Sequence, residues 1–293
     1  MDLRFKLRRS MGAHPVDGRD GLNGGLGGSG VVVAVTGATG APGRTFISIN
    51  LAAVAAASGL TVALVDADPH LGAIAVQLGL REDRSLSFLA HEATLRPVDD
   101  ELLTRHLQLS NGVDVLAGRS VAAPGHLSSA PILSDTVRLL AARHELVVLD
   151  AGALVCPEAQ ATALASQMIV WVIVPTRSGT DLFDRVVAGP LAAALRSRPS
   201  LAVINKVATG CLREPERALS DRYGMAVGGS VPESRRACLE AEARVQPAAA
   251  GGPLAERLRH VGGVVLACVQ NELANQSRLT VPSPPGPRMI EQT

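Results

Sequence analysis

The chain has 293 residues, of which 47% are hydrophobic and only 2% aromatic, and its formal net charge is +1. This length allows one sizeable α/β domain with tails, and Ala, Val and Leu must supply most of its core. The near-balanced charge argues against a broad basic surface for nucleic acid or membranes, and no apolar run reaches the roughly 18–20 residues that span a bilayer.

The two ends of the chain have the composition of tails. Residues 1–30 combine the basic segment MDLRFKLRRS with GLNGGLGGSG, which is typical of a flexible linker. No apolar signal core follows the basic segment, so we expect a cytoplasmic protein. A short solvated tail is the simpler interpretation, and weak contact with a membrane surface or an acidic partner is the alternative. Residues 275–293 contain VPSPPGPR and are predicted to be disordered, which leaves 31–274 as the domain.

Between these ends, apolar runs alternate with helical segments. The run VVVAVT at 31–36 predicts a buried strand, and a helix is predicted at 46–58, with Gly59 just past its end. Further strands are predicted at 61–68, 112–118, 144–152, 167–175, 201–206 and 225–232, and a closing helix at 253–274. This alternation predicts a doubly wound α/β fold, which is a mainly parallel sheet with helices on both faces.

Three predicted strands end in residues that suit ligand binding. The first strand leads into the glycine-bearing turn 37–43, the second ends with Asp66 and Asp68, and the strand at 144–152 carries Asp150. Ligands of open parallel sheets bind beyond the carboxyl ends of the strands, so we expect these residues to converge.

The loop from Gly37 to Thr45 fits two phosphate-binding patterns. GATGAPG matches the G-x-x-G-x-x-G of short-chain NAD(P)-binding folds. It also matches a P-loop, G-x-x-x-x-G-K-[ST], in which Ala38 replaces the first Gly and Arg44 the Lys. Either pattern places phosphate at a helix N-terminus, where free N–H groups favour anions. A strand–helix turn without a ligand is the third interpretation.

Residues beyond the loop favour the P-loop. Thr45 in the first helical turn supplies a hydroxyl for Mg²⁺, and Asp150 after an apolar strand suits a Walker B acid. In the NAD(P) pattern Asp66 would bind the ribose, but it lies further from the loop than the roughly 20 residues expected. The only tyrosine, Tyr223, also lacks the Tyr-x-x-x-Lys pair of a short-chain reductase.

The P-loop region resembles the ParA/MinD family of deviant Walker A ATPases. The resemblance rests on GRT, INLA, SGLTVALVDADP and LGL, continues through GVDVLAG, ELVVLDAG, VINKV and GGSVPES, and covers roughly residues 31–270. The GAPGRT form is similar to the CpaE/TadZ-like branch, which includes septum-site and pilus-localisation relatives. The resemblance implies a nucleotide, ATP or ADP, together with Mg²⁺.

The resemblance also implies roles for individual residues. The phosphates would lie against the loop residues Thr39, Gly40, Ala41, Pro42, Gly43, Arg44, Thr45 and Phe46. Thr45, Asp66 and Asp150 would hold Mg²⁺, and Asp68 would orient the attacking water. The alternative for Asp66 and Asp68 is to cap the start of a helix.

The base would be recognised at two later strand ends. The resemblance implies that Asn205 contacts the adenine edge, and that Pro232, within the segment 231–233, flanks the base. The alternative for Asn205 is an ordinary turn residue.

Two cations of the family pattern are altered. Thr39 stands where the lysine that reaches the partner subunit's phosphates belongs, and Arg44 replaces the main phosphate-binding lysine. Ala38 and Ala41 replace glycines and restrict the loop backbone. Losing a positioned cation commonly costs orders of magnitude in phosphoryl-transfer rate. We therefore expect nucleotide binding with slow hydrolysis, in which Asp68 and Arg44 are the catalytic candidates.

The leading hypothesis is an ATPase or nucleotide switch for spatial positioning or assembly, at a septum site, at a pilus or secretion machine, or in chromosome partitioning. The resemblance implies an ATP-joined homodimer and a protein partner from such a machine. The alternatives are a non-hydrolysing assembly module and an NAD(P)-binding Rossmann protein. The polar, Pro-rich end after 270 does not fit the amphipathic membrane helix of MinD-like proteins.

Overall fold

The structure, a computed structural model, is built around one sheet flanked by helices. It describes residues 30–38, 42–68, 72–120, 130–155, 157–189, 195, 198–208 and 213–279. Residues 1–29 and 280–293, to which the tail predictions apply, lie outside the described residues. The loop residues Thr39, Gly40 and Ala41 also lie outside them.

The sheet contains eight strands in the described part of the chain. They are β1 (Val31–Gly37), β2 (Val62–Asp66), β3 (Gln108–Ser110), β4 (Val113–Leu116), β5 (Leu146–Ala153), β6 (Met168–Ile173), β7 (Ser200–Val207) and β8 (Ala226–Pro232). Their order is β3-β4-β2-β5-β1-β6-β7-β8, and all neighbours are parallel except β3 with β4. The predicted fold class, a doubly wound and mainly parallel sheet, is confirmed.

Helices cover both faces of the sheet. They are α1 (Arg44–Ala57), α2 (Ile74–Gln77), α3 (Leu86–Glu92), α4 (Asp100–His106), α5 (Ala130–Arg143), α6 (Pro157–Ala165), α7 (Arg177–Ala188), α8 (Arg213–Tyr223), α9 (Arg235–Arg244) and α10 (Ala255–Leu279). One apolar layer includes α1, α9 and α10, a second α3, α4 and α5, and a third α6, α7 and α8. Burial on both faces explains why the strand sequences are continuous apolar runs.

Helices α1 and α10 approach each other closely. A Cβ atom added at Gly262 of α10 would lie 2.7 Å from Cγ1 of Val54 in α1, so only glycine permits this spacing without a shift. Asn50 of α1 accepts a 2.7 Å hydrogen bond from the N–H of Ala249, in the 3₁₀ turn Ala248–Ala250 before α10. The helix that follows the predicted phosphate-binding loop is therefore anchored by residues far along the chain.

Three of the chain's few aromatic rings form a stack between the sheet and its helices. Trp171 of β6 and Phe183 of α7 have ring centroids 5.3 Å apart, and Phe183 and Tyr223 of α8 have centroids 5.0 Å apart. Both contacts are edge-to-face, the arrangement favoured by the charge distribution of aromatic rings. The Tyr223 hydroxyl donates a 2.6 Å hydrogen bond to Asp184, which also pairs with Arg222. We call Trp171, Phe183 and Tyr223 the aromatic stack.

The short edge strand β3 was not predicted. It spans three residues and pairs antiparallel with β4. Its first residue, Gln108, is held by long-range hydrogen bonds to the backbone of Arg81 and Arg84. Leu109 is 74% exposed, so the segment lacks the buried apolar run that identified the other strands.

The closing helix extends beyond its predicted end at residue 274. Helix α10 continues to Leu279, so residues 275–279, which the sequence interpretation assigned to the tail, belong to the helix. None of these five residues is glycine or proline, and the first proline after the helix is Pro282, so no residue ends it at 274. In the described part of the chain, no helix combines the length and apolarity needed to cross a membrane.

Candidate functional site

The N-terminus of α1 begins directly after the predicted phosphate-binding loop. Gly43 precedes α1 with φ of 89°, and a Cβ atom there would lie 2.3 Å from Nδ2 of Asn205. Glycine is therefore required for both backbone conformation and space. Within the described residues, α1 has no side-chain cap and no acidic residue in its first turn. Its first N–H groups are thus suited to an anion.

Asn205 holds the loop before α1 through a side-chain hydrogen bond. It lies in β7, is 5% exposed, and its Nδ2 donates a 2.7 Å hydrogen bond to the carbonyl of Pro42. Pro232 lies at the end of β8, where it is paired with Val207 of β7. The structure thus places both predicted base-site residues at neighbouring strand ends, and adds a loop-supporting contact for Asn205 that the sequence did not indicate.

Thr45 and Asp150 are in direct contact. The Thr45 hydroxyl donates a 2.6 Å hydrogen bond to Oδ2 of Asp150, which is 1% exposed. The other carboxylate oxygen, Oδ1, is buried and has no hydrogen-bond partner in the part of the chain that the structure describes. A buried oxygen of this kind is costly unless a cation or donor approaches it.

Arg44 points inward, towards carboxylates. It is 8% exposed, and its Nη2 lies 3.8 Å from Oδ2 of Asp68. Burial lowers the pKa of Arg44, while the negative charges of Asp150 and Asp68 act in the opposite direction. The structure therefore brings both catalytic candidates together with Asp150. We call Asp66, Asp68 and Asp150 the carboxylate cluster.

Asp66 is enclosed by backbone. Its oxygens accept hydrogen bonds from the N–H groups of Ile74, at 3.1 Å, and Asp68, at 3.4 Å. A Cβ atom on Gly118 would lie 2.6 Å from Cγ of Asp66, and one on Gly72 would lie 2.9 Å from Oδ2. Sequence reasoning missed these two glycines, although Gly118 lies two residues after the end of β4 and marks the point where backbone approaches the site.

Two members of the cluster, Asp66 and Asp150, are difficult to ionise together. Burial raises the pKa of Asp66, and the negative charge of Asp150 raises it further. Burial also raises the pKa of Asp150, although the Thr45 hydroxyl and the Arg44 charge partly oppose this. Burial and mutual repulsion thus oppose ionisation of Asp66 and Asp150, and an added cation would favour their charged forms.

The loop residue Phe46 faces away from the carboxylates. With Asn50, Cys238, Gln246 and other residues of α1, α2 and α9, it lines a cavity of about 200 Å³. Its side chain also packs against the apolar layer that includes α1 and α10. Contact between Phe46 and a nucleotide would therefore involve its backbone.

The residues present fit a magnesium ion that arrives with a phosphate ligand. Among the described residues, no three His, Cys, Asp or Glu side chains converge closely enough to hold a metal alone. Mg²⁺ commonly uses one or two protein ligands and takes the others from phosphate and water. The unbonded Oδ1 of Asp150 and the hydroxyl of Thr45 provide such a pair.

The sequence from 33 to 247 matches the family described as the CobQ/CobB/MinD/ParA nucleotide binding domain. No curated protein sequence matches the chain.

Solved structures give a consistent comparison. The septum site-determining protein MinD of Pyrococcus horikoshii, complexed with Mg-ADP, has a TM-score of 0.66 and 17% identity, covering 83% of this chain and 98% of that one. The MinC:MinD cell division complex of Aquifex aeolicus has a TM-score of 0.67 and 17% identity, covering 81% of this chain and 96% of that one. A ParA family ATPase of Chlorobium tepidum has a TM-score of 0.65 and 17% identity, covering 82% of this chain and 98% of that one. At these identities the similarity establishes the fold.

Proposed function

The chain belongs to the CobQ/CobB/MinD/ParA nucleotide-binding family, and from this premise we propose that it is a ParA/MinD-type switch that binds ATP or ADP with Mg²⁺. The observation that carries the proposal is the contact between Thr45 and Asp150 at the uncapped start of α1. A hydroxyl, a buried carboxylate and free helical N–H groups together match the needs of a metal-bound phosphate.

The phosphates would be held by backbone. The N–H groups from Gly43 to Phe46 lie at the N-terminus of α1, where the helix dipole favours negative charge. We assign Thr39, Gly40 and Ala41 to the same cradle on sequence alone. The Asn205 contact with Pro42 would keep the described half of the loop in place before the ligand arrives.

Thr45 and Asp150 would hold Mg²⁺, the former through its hydroxyl and the latter through a bound water. When bound, the metal would neutralise phosphate charge and offset the buried negative charge of the cluster. Asp66, the third predicted metal residue, would act through its charge, because its oxygens accept backbone N–H groups.

Hydrolysis would depend on Asp68 and Arg44. Asp68 would accept a hydrogen bond from the attacking water and so orient it. Arg44 would bind phosphate oxygens, which requires it to leave its contact with Asp68. Because the ion pair occupies both residues, the geometry supports slow turnover.

Asn205 and Pro232 would select the base. The amide nitrogen of Asn205 is used by Pro42, so its oxygen is the atom available to accept a hydrogen bond from the adenine amino group. Pro232, at the neighbouring strand end, would pack against the base.

The cellular role we propose is the positioning or assembly of a machine at a septum, pilus, secretion or partitioning site, within the CpaE/TadZ-like branch. The protein would act in the cytoplasm as an ATP-joined homodimer with a protein partner, and the N-terminal tail is the segment available for weak membrane contact. Structures of a septum site-determining MinD and of a MinC:MinD complex support this role by analogy of fold.

A non-hydrolysing assembly module is the second candidate. The inward position of Arg44 favours it, because the cation that would stabilise the transition state lies against Asp68. Steady-state phosphate release separates the two candidates. The family match leaves the NAD(P)-binding alternative without support.

Calorimetry tests the proposal directly. MgATP or MgADP should bind the wild type, NADH should not, and Thr45→Ala or Asp150→Asn should weaken binding about 10- to 100-fold. Thr94→Ala is the matched control, since its hydroxyl lies at the exposed end of α3 and bonds only local backbone among the described contacts. NADH binding without MgATP binding would refute the proposal.

A further inference from the structure

Arg44 occupies an unusual place for an arginine. It is the first residue of α1, where the helix dipole disfavours positive charge, yet its side chain is withdrawn almost completely from water. Burying a guanidinium is costly unless opposite charge compensates it. Among the described residues, the compensating charges identified around Arg44 are those of Asp150 and Asp68.

The Arg44–Asp68 contact differs from the other ion pairs of the molecule. Its two side chains are 9% and 21% exposed, which makes it the most buried arginine–carboxylate pair among the described residues. Arg81 and Asp83 form an ordinary surface pair, at 2.6 Å and 70% and 54% exposed. At 3.8 Å, the contact between Arg44 and Asp68 is held by charge and is too long for a hydrogen bond.

The guanidinium of Arg44 lies beside carboxylates whose negative charge a bound cation would also balance. The carboxylate cluster places three acidic groups around one end of the sheet, since Asp66 and Asp150 are register partners on β2 and β5. Oδ1 of Asp150 remains without a hydrogen bond in the described part of the chain. Arg44 supplies positive charge to this cluster but does not satisfy that oxygen.

We propose that, without nucleotide, Arg44 is the tethered counter-ion of the carboxylate cluster and competes with a divalent cation for Asp68 and Asp150. The part of this inference that names the displacing ligand rests on the proposed function. Phosphates at the start of α1 would draw Arg44 away from Asp68. The metal ion that accompanies them would then balance the negative charge of Asp150. Asp68 is then released only when nucleotide is present.

This arrangement makes the site resist metal alone. A divalent ion approaching the nucleotide-free cluster meets a positive charge that is covalently attached and cannot diffuse away. When a nucleotide is present, Arg44 can bind the phosphate oxygens, and its charge then no longer repels a divalent ion at the carboxylates. Asp68 therefore stays paired with Arg44 until the nucleotide is in place.

The test is Mn²⁺ binding by electron paramagnetic resonance in the absence of nucleotide. Arg44→Gln should bind Mn²⁺ at least about tenfold more tightly than the wild type, because the positive charge 3.8 Å from an Asp68 oxygen has been removed. Arg81→Gln, which breaks the surface pair, is the matched control and should equal the wild type. Equal Mn²⁺ affinity of folded Arg44→Gln and wild type would overturn the inference.

Arg44→Lys keeps the experiment decisive if Arg44→Gln does not fold. Lysine retains the charge but has a shorter reach, so Mn²⁺ affinity should lie between those of the wild type and Arg44→Gln. Affinity below that of the wild type would contradict the counter-ion role, because a cation with a shorter reach cannot oppose the metal more strongly. The Mn²⁺ measurement uses no nucleotide, so its result is independent of the calorimetry. Failure of the wild type to bind MgATP would refute the proposed function, whatever the Mn²⁺ affinities are.

Discussion

The carboxylate cluster and the aromatic stack lie in the same domain but relate to stability in opposite ways. In the stack, three rings pack edge to face, and the Tyr223 hydroxyl donates to Asp184, which Arg222 also contacts. In the cluster, the charges of Asp68 and Asp150 act on one buried guanidinium, and a buried oxygen of Asp150 has no hydrogen-bond partner among the described residues. The comparison indicates that one region stabilises the fold while the other costs stability, as expected of the binding site that we propose there.

The largest expected effect is on the stack. Phe183→Ala removes the central ring, which is 1% exposed, and should lower the free energy of unfolding by about 3–5 kcal/mol. Urea denaturation measures this, and Leu182→Ala on the same helix is the control because Leu182 is 40% exposed. A loss similar to that of the control would show that the stack is not the stabilising region.

A single methyl group placed in the carboxylate cluster should have the next largest effect. Gly118→Ala puts a Cβ atom 2.6 Å from Cγ of Asp66, so the backbone or the carboxylate must move, at a cost of about 1–3 kcal/mol. Gly263→Ala is the control, because a Cβ atom there meets open space and helix propensity improves. If both variants unfold at the same urea concentration, the packing around Asp66 is looser than the distances imply.

Removing an acidic group from the cluster should raise the free energy of unfolding, whereas removing a ring from the aromatic stack should lower it. Asp66→Asn preserves shape but removes a buried acidic group that the fold must either keep protonated or bury as an anion, and we expect the metal-free protein to gain about 0.5–2 kcal/mol near neutral pH. The same variant should bind MgADP more weakly, because less negative charge remains to attract the metal. A destabilised Asp66→Asn variant would mean that the two backbone hydrogen bonds of Asp66 outweigh its charge.

The smallest effect concerns pH. Because burial raises the pKa of Asp66, the folded protein retains a proton that the unfolded chain releases above the ordinary aspartate pKa of about 3.9. The contribution of Asp66 to stability is therefore fully present below that pKa and is lost as pH rises through the folded pKa. The advantage of Asp66→Asn over the wild type should thus grow between about pH 5 and pH 8 in urea titrations. A constant difference would contradict this sign.

The sequence predicted the strands well because both-face burial demands continuous apolar runs, as in β1, β5 and β6. It also predicted which strand ends would meet, and the Thr45–Asp150 contact follows from that topology. Edge strand β3 escaped prediction because Gln108 is held by residues more than twenty positions away.

Side-chain directions in the site were less predictable. Nothing local to Arg44 indicates that it turns towards Asp68, because that direction depends on charges supplied by two other strands. The contact of Asn205 with Pro42 likewise joins residues 163 positions apart. Residue types and spacing can thus identify the participants of a site, whereas the balance of charge among distant elements decides how they pair.

The close approach of α10 to α1 has a consequence for how the protein is made. Gly262 faces Val54, so the surface of α1 that α10 covers is synthesised about 200 residues before its cover. At roughly 5–20 residues per second, a ribosome needs about 10 s or longer to produce the missing helix. During that interval the nascent chain displays an apolar helix face, which is a binding surface for chaperones. The helix at the proposed nucleotide site is thus among the first elements synthesised and among the last to be buried.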